Sequence, residues 1–258
     1  MADRFLRRAG AAEIVRKLCA RAILEFGLVE KGDRILIAVS GGKDSSTLAW
    51  ALSTLKKSLQ AEYTLEALHI SSDFCACCKK GELKNRLDEW GIPFTDLPVP
   101  IIGRLKPGKK MNCYWCSTQR RTELLRHAVE GNFNKIALGH HLDDIIETFF
   151  MNLTAKGTIS TMPMLLRYRK YPVSLIRPLG LLEERQIISC ADELEILKAA
   201  CTCPYGLNSK RREIRGKIAA FTGNSGAVKR RIFRALDRLD GLVRDSITEE
   251  VQDGGSRI

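Results

Sequence analysis

The chain has 258 residues, with 42 Lys and Arg against 30 Asp and Glu, a net charge of +12, 45% hydrophobic residues and 28% charged residues. This composition excludes a disordered chain, a collagen-like repeat and a disulfide miniprotein, and the length suffices to bury a real core. The excess of positive charge points to a polyanionic partner, against the blander reading of a solvated basic surface.

In chain order, Ile14, Val15, Leu18, Ala22 and Ile23 recur at helical spacing over residues 11–26. Arg34 to Val39 holds a short, continuously apolar, β-branched run, the pattern of a buried parallel strand. The loop SGGKD follows, and a helix is predicted from Ser45 to about Leu59. Strands are predicted at Thr64–Ile70, Ile92–Leu97 and Lys135–Leu138, and helices at Leu83–Trp90, Ser117–Val129 and from GHHLDD to about Leu153. Strands alternating with helices predict an α/β fold with a doubly wound parallel sheet. Residues 156–180 carry several Gly and Pro and no long helix, Glu183–Lys198 is helical, and a basic helical region begins at Asn208. The expected division is a catalytic domain over 1–200 and a helical basic region over 201–258. No internal repeat is evident.

The N-terminal MADRFLRRAG lacks the pattern of a signal peptide, and no apolar stretch approaches the roughly 20 residues of a membrane helix. A soluble, cytoplasmic protein with no membrane partner is expected. In that reducing setting the nine cysteines are not expected to form disulfides. Cys75, Cys77 and Cys78, then Cys113 and Cys116, then Cys201 and Cys203 are clustered, which suggests metal or sulfur chemistry. Cys19 and Cys190 sit among apolar helical residues and read as small core side chains.

Ser40, Gly41, Gly42, Lys43, Asp44 and Ser45 carry the strongest chemical signal. Glycines allow close backbone approach to a phosphate, and a helix N-terminus offers unpaired N–H groups and a positive dipole. Lys43 adds a point charge, and Ser40 and Ser45 add hydroxyls. Asp44 would repel phosphate unless a divalent cation lay between them, which points to Mg2+. The spacing is not that of a Walker A loop, because Ile37 stands where its first glycine belongs and no Ser or Thr follows Lys43.

SGGKDS resembles the pyrophosphate loop of the PP-loop ATP pyrophosphatases. The resemblance implies a doubly wound parallel sheet, cleavage of ATP to AMP and pyrophosphate, and activation of a carbonyl oxygen as its adenylate. It further implies that Ser40 to Ser45 hold the pyrophosphate and that His69 and Ile70 lie near the adenine. Cys113-Tyr-Trp-Cys116 with Arg120 and Arg121, followed by Gly139-His-His-Leu-Asp143-Asp144, is similar to the tRNA 2-thiolation branch, especially the tRNA 2-thiocytidine synthetases. There the CxxC supplies two ligands of a 4Fe-4S cluster, and a third cysteine follows an RPL element. Here Arg177-Pro178-Leu179 is present; Cys203 best matches the third ligand and Cys201 is the runner-up. The resemblance also implies that the Gly139–Asp144 motif faces ATP and Mg2+, with Asp144 preferred over Asp143, and that Arg120 lies near the phosphates. A helix cap is the competing reading for the Asp pair, a solvated helix face for Arg120, and capping or packing for His140 and His141.

Thiolates are soft ligands suited to iron–sulfur clusters. Three protein ligands leave one iron open for sulfide, which would attack the activated carbonyl carbon, while Mg2+ and Lys43 offset charge on the departing pyrophosphate. Cys75 and Cys78 depart from the family pattern. With Cys113 and Cys116 they would compose a four-thiolate zinc site, although the 34 residues between the pairs exceed the roughly 15 to 20 of a compact ribbon. They would alternatively accept sulfur as a persulfide, or be incidental.

Lys210, Arg211, Arg212, Arg215 and Lys217, then Lys229, Arg230, Arg231, Arg234 and Arg238, make the C-terminal region cationic, with Arg231, Arg234 and Arg238 at helical spacing. Ile214, Ile218 and Phe233 offer apolar positions for docking onto the body. Such a face binds a phosphate backbone without reading sequence. The expectation is an ATP-dependent tRNA sulfurtransferase acting at C2 of cytidine, with a cysteine desulfurase or inorganic sulfide as sulfur donor, and with homodimer formation open. A uridine-directed PP-loop enzyme and a zinc-stabilised RNA-binding protein without turnover are the alternatives.

Overall fold

Six strands in the order β3-β2-β1-β4-β6-β5 form the sheet of the computed structural model, which describes residues 10–59, 62–74, 80–196 and 210–243. In chain order the elements are α1 (Ala11–Glu25), β1 (Arg34–Ala38), α2 (Lys43–Leu59), β2 (Thr64–Ser72), α3 (Lys80–Glu89), β3 (Phe94–Val99), α4 (Cys113–Glu130), β4 (Lys135–Ala137), α5 (Leu142–Lys156), β5 (Leu165–Arg167), β6 (Ser174–Ile176), α6 (Glu184–Glu193), α7 (Lys210–Thr222) and α8 (Gly226–Val243). β1, β2, β3, β4 and β6 run parallel, and β5 pairs antiparallel with β6 at the edge.

β1 is central because both of its faces are covered. Ile35 and Ile37 enter a core shared with α1, α2, α3, α5 and α6, while Leu36 enters a second core beneath α4. That two-sided burial is why the run is continuously apolar instead of alternating. Cys19 and Cys190 are buried in the first core, and burial pushes both thiols up to about 12, so they pack as small apolar side chains.

The α/β doubly wound parallel sheet is as expected, with local differences in element bounds. The hairpin of β5 and β6 lies in the stretch where several Gly and Pro and no long helix are expected. Each strand has three residues, too short to display alternation. α4 begins at Cys113 and not at Ser117, because the Asn112 side chain accepts the Trp115 N–H at 2.9 Å and caps the helix there. α6 ends at Glu193, short of the expected Lys198. Among the described residues no helix is long and apolar enough to cross a membrane.

The carboxyl ends of β1 and β4 lie side by side, and their connections leave in opposite directions: β1 leads through α2 to β2, and β4 leads through α5 towards β6. This is the topological switch point at which open α/β sheets bind ligands.

Candidate active site

The loop after β1 is held in shape by its own serines. The Ser40 N–H donates to Ser45 Oγ at 3.1 Å, and Ser45 Oγ donates to the Gly42 carbonyl at 3.1 Å. Gly41 has φ +79, a left-handed conformation that a side chain would strain. α2 then starts at Lys43, two residues earlier than its spacing predicts. Lys43 and Asp44 therefore occupy its first turn, where N–H groups lack intrahelical acceptors. Asp44 is met there by Lys43 Nζ at 3.1 Å and by the positive end of the helix, so its charge has local partners.

Gly139, two residues past β4, lies directly against this loop. A Cβ at Gly139 would lie 3.0 Å from the Ser45 nitrogen and 3.1 Å from the Asp44 carbonyl carbon. Its lack of a side chain is what lets the two connections touch. Beyond it, His141 caps α5: its Nδ1 accepts the Asp144 N–H at 3.4 Å, and Asp144 Oδ2 accepts the His141 N–H at 3.1 Å. Asp144 thus serves as the third residue of a capping box, and His141 caps as the alternative reading foresees.

His69 and Ile70 diverge, as successive residues of a strand must. His69 is 1% exposed and its Nδ1 is 2.8 Å from the Val39 carbonyl, so it clasps the chain one residue before the loop. Its Nε2 is buried without a partner among the described residues. Burial, against the raising effect of the Val39 carbonyl, pushes its pKa below the ordinary value. Ile70 packs in the core beneath α4 with Leu68 and Val99.

Glu184 is the residue that sequence reasoning missed. Its Oε1 lies 3.0 Å from Lys43 Nζ, and its Oε2 lies 3.2 Å from Arg215. Burial opposes charge on Glu184, but the hydrogen bond and attraction of Lys43, with Arg215 behind them, hold its pKa below the usual carboxylate value. Burial likewise opposes charge on Lys43, and the bond to Glu184 with the attraction of Asp44 overcomes it, raising its pKa. Asp143 is also engaged: it accepts the Glu184 N–H at 2.7 Å and Lys229 Nζ at 2.6 Å. No local pattern marks it, although it follows the Arg177-Pro178-Leu179 element by five residues. Arg177 of that element is buried and donates to the Pro163 carbonyl, so it braces the turn between β6 and α6.

Cys113 and Cys116 lie in the first turn of α4, one exposed and one half-buried, and neither is in a disulfide. Their spacing of three places both on one side of the helix. Trp115 anchors that turn, donating from Nε1 to the Ile101 carbonyl at 3.0 Å just past β3. The CxxC therefore stands at the same carboxyl edge as the loop. Arg120, one turn on, has a buried Nε without a partner among the described residues, and its charge acts on His69. Cys75, Cys77, Cys78, Cys201 and Cys203 lie outside the described residues, and among the described residues no group of three or more metal-ligating side chains comes together.

The basic C-terminal region divides in two. Ile218 and Phe233 are buried, with the Phe233 ring edge-on to Phe26, so α7 and α8 dock as expected. Not all of the cations face outward, however. Arg215 bonds Glu147 at 2.6 Å, Lys229 bonds Asp143, and Arg230 bonds Glu183 at 3.0 Å. These carboxylates are buried or nearly so, and each draws its cation inward around a cleft of about 430 Å³ that Asp143, Glu184, Arg215 and Lys229 line. Arg231, Arg234 and Arg238 are exposed and have no ion pair among the described residues.

A glycine turn leading into a helix N-terminus at the switch point of a parallel sheet, backed by a lysine and a capped second helix, defines a nucleotide-binding α/β protein of the PP-loop type. A model of the PP-loop domain matches residues 13–198, and the chain belongs to that family. It is 34% identical over 228 residues to the tRNA-cytidine(32) 2-sulfurtransferase of Geobacter sulfurreducens, covering 86% of this chain and 88% of that protein. It is 32% identical over 246 residues to the protein of the same description from Xylella fastidiosa, covering 92% and 81%. Among solved structures, a U34-tRNA thiolase from Methanococcus maripaludis with its 4Fe-4S cluster superposes with a TM-score of 0.77, covering 95% of this chain and 84% of that one. At 22% identity this likeness carries the fold.

Proposed function

We propose that the protein is an ATP-dependent tRNA sulfurtransferase that adenylates a pyrimidine carbonyl oxygen and replaces it by sulfur at C2 of cytidine. One observation carries the reading: the phosphate loop after β1, the Gly139–Asp144 turn after β4 and the CxxC of α4 converge on one edge of the sheet. The relatives described as tRNA-cytidine(32) 2-sulfurtransferases support the substrate and the enzyme class.

The residues present fit ATP. Ser40 to Ser45 supply a glycine turn and a helix N-terminus for the pyrophosphate, and Lys43 supplies a positive charge that offsets the negative charge on the departing pyrophosphate. Asp44 of the loop and Asp144 of the turn after β4 are assigned as the carboxylates for Mg2+. Arg120 brings a second cation to the same edge. Two thiols of the expected cluster set, Cys113 and Cys116, share one turn, and Cys203, with Cys201 as its alternate, is assigned as the third. A 4Fe-4S cluster on three thiolates supplies a coordination position for external sulfur, which is the chemistry replacement of a carbonyl oxygen needs. The chain's own tasks are to bind tRNA through the exposed face of α8, to hold the triphosphate, and to keep Lys43 charged. The body over 1–200 holds ATP and two of the thiols, and the segment over 201–258 supplies the third thiol and the RNA contact. A cysteine desulfurase or inorganic sulfide is the donor.

The test is thiolation of an unmodified tRNA transcript by anaerobically prepared protein with ATP, Mg2+ and sulfide, read by mass spectrometry of the nucleosides. Appearance of 2-thiocytidine with matching AMP supports the reading. Thiouridine alone moves the activity to the other pyrimidine, and a colourless zinc protein that forms no thionucleoside ends the proposal.

A further inference from the structure

Between Leu97 and Thr122 the chain has no Asp or Glu, yet it carries Arg104, Lys106, Lys109, Lys110, Arg120 and Arg121. This run connects β3 to the CxxC helix and lies on the opposite side of the sheet from α7 and α8. Lys106, Lys109, Lys110 and Arg121 are exposed, and none has an ion pair among the described residues. Within the run, Arg104 alone is neutralised, by Glu123 at 2.7 Å.

The run is held in a definite shape despite its self-repulsion. The Asp73 carboxylate accepts the Ile102 and Gly103 N–H groups at 3.1 Å, Gly108 turns the chain with φ +77, and the Lys109 N–H closes that turn onto the Lys106 carbonyl at 3.0 Å. Asn112 and Trp115 then fix the start of α4. At that start, beside Cys113, Tyr114 is 78% exposed, whereas its neighbour Trp115 is tucked in. Like charges crowded on a pinned turn destabilise the free protein and reward a polyanion. An exposed aromatic ring at the end of such a track is what stacks on an unpaired base.

We propose that the turn over 102–110 and Tyr114 form a second RNA contact beside the CxxC, in which Lys106, Lys109, Lys110 and Arg121 hold phosphates and the Tyr114 ring stacks on an unpaired base. This rests on the reading of the protein as a tRNA enzyme and adds where the strand enters the site. The α8 face and this turn would then grip one RNA from two sides.

The experiment measures binding of an unmodified tRNA transcript to the full chain, prepared anaerobically, across a range of salt. Combined Lys106→Gln, Lys109→Gln and Lys110→Gln should weaken binding about tenfold and reduce the slope of log affinity against log salt by about 2 to 3. In parallel, a short single-stranded RNA carrying 2-aminopurine should be quenched by the wild type and by Tyr114→Phe, but not by Tyr114→Ala. If the wild type binds tRNA and the triple variant binds it with unchanged affinity and slope, the proposal is overturned, as it is if Tyr114→Ala quenches like the wild type. A triple variant that binds tRNA normally but fails only with a protein sulfur donor also overturns it, assigning the turn to a protein partner. Absence of tRNA binding by the wild type would instead sink the functional reading beneath it.

Discussion

Lys43 of the phosphate loop and Glu184 of α6 form an ion pair at 3.0 Å, 141 residues apart in sequence. Glu184 holds the charge that a phosphate would take, and Arg215 of α7 holds Glu184 from behind. On the proposed role of this loop, a nucleotide would have to draw Lys43 away from this carboxylate, and the released Glu184 would keep a partner in α7.

The first prediction concerns that exchange. Glu184→Gln removes the competitor and a negative charge beside the triphosphate, so the affinity for a non-hydrolysable ATP analogue should rise about three- to tenfold, roughly 1 kcal/mol. Lys43→Ala should lower it by about tenfold or more, since a charge-assisted contact is lost. Calorimetric titration of both variants decides. Weaker binding by Glu184→Gln would mean that the carboxylate serves the nucleotide directly, through a cation, and is not its stand-in.

Gly139 provides a steric test of the site. In Gly139→Ala the new methyl would press on backbone atoms of Asp44 and Ser45 at 3.0–3.2 Å, and backbone cannot swing aside as a side-chain tip can. A cost of about 1–3 kcal/mol is expected, with a fall in Tm of several degrees and weaker ATP binding. Thermal unfolding with and without nucleotide measures both. An unchanged Tm would mean that the two loops can separate freely.

The pH dependence of stability follows from His69. Its folded-state pKa lies below the ordinary 6.5, so the unfolded chain takes up the proton first as pH falls. Stability should therefore be complete above about pH 6.5 and decline as pH drops below it. Protonation would place a charged N–H at the buried Nε2, which has no acceptor among the described residues. Tm measured from pH 7.5 to 5.5 should fall more steeply for the wild type than for His69→Gln. Parallel curves would remove His69 as the cause.

Much of this was readable from residue pattern alone, for identifiable reasons. β1 announces itself because both faces are buried and every position between its ends is apolar. The loop announces itself because glycine, serine and lysine have no better use between a strand and a helix. Glu184 was silent, because an ion pair across 141 residues leaves no local periodicity. Asp144 and His141 were ambiguous because a capping box and a catalytic turn draw on the same residue types. The inward pull on Lys229 was invisible for a different reason: a cationic stripe at helical spacing is the same in sequence whether buried carboxylates or solvent face it.

That last distinction is itself testable, because α8 carries cations of both kinds. Lys229 is nearly buried against Asp143, whose pKa is raised by burial but lowered further by the Lys229 bond and the Glu184 N–H, for a net fall. Lys229→Ala should leave Asp143 short of its main partner and cost about 1–3 kcal/mol of stability, with little change in RNA affinity per folded molecule. Acid should narrow that difference, since the stabilisation is present above the ordinary carboxylate value of 3.8 and is lost as pH falls through the lowered one. Combined Arg231→Glu and Arg234→Glu should do the reverse, leaving Tm nearly unchanged while weakening tRNA binding and lowering the salt slope by about 2. Denaturation and salt-dependent binding of the two variants separate the roles. If both lost RNA binding equally at unchanged stability, Lys229 would belong to the RNA face, and its contact with Asp143 would have to open on binding.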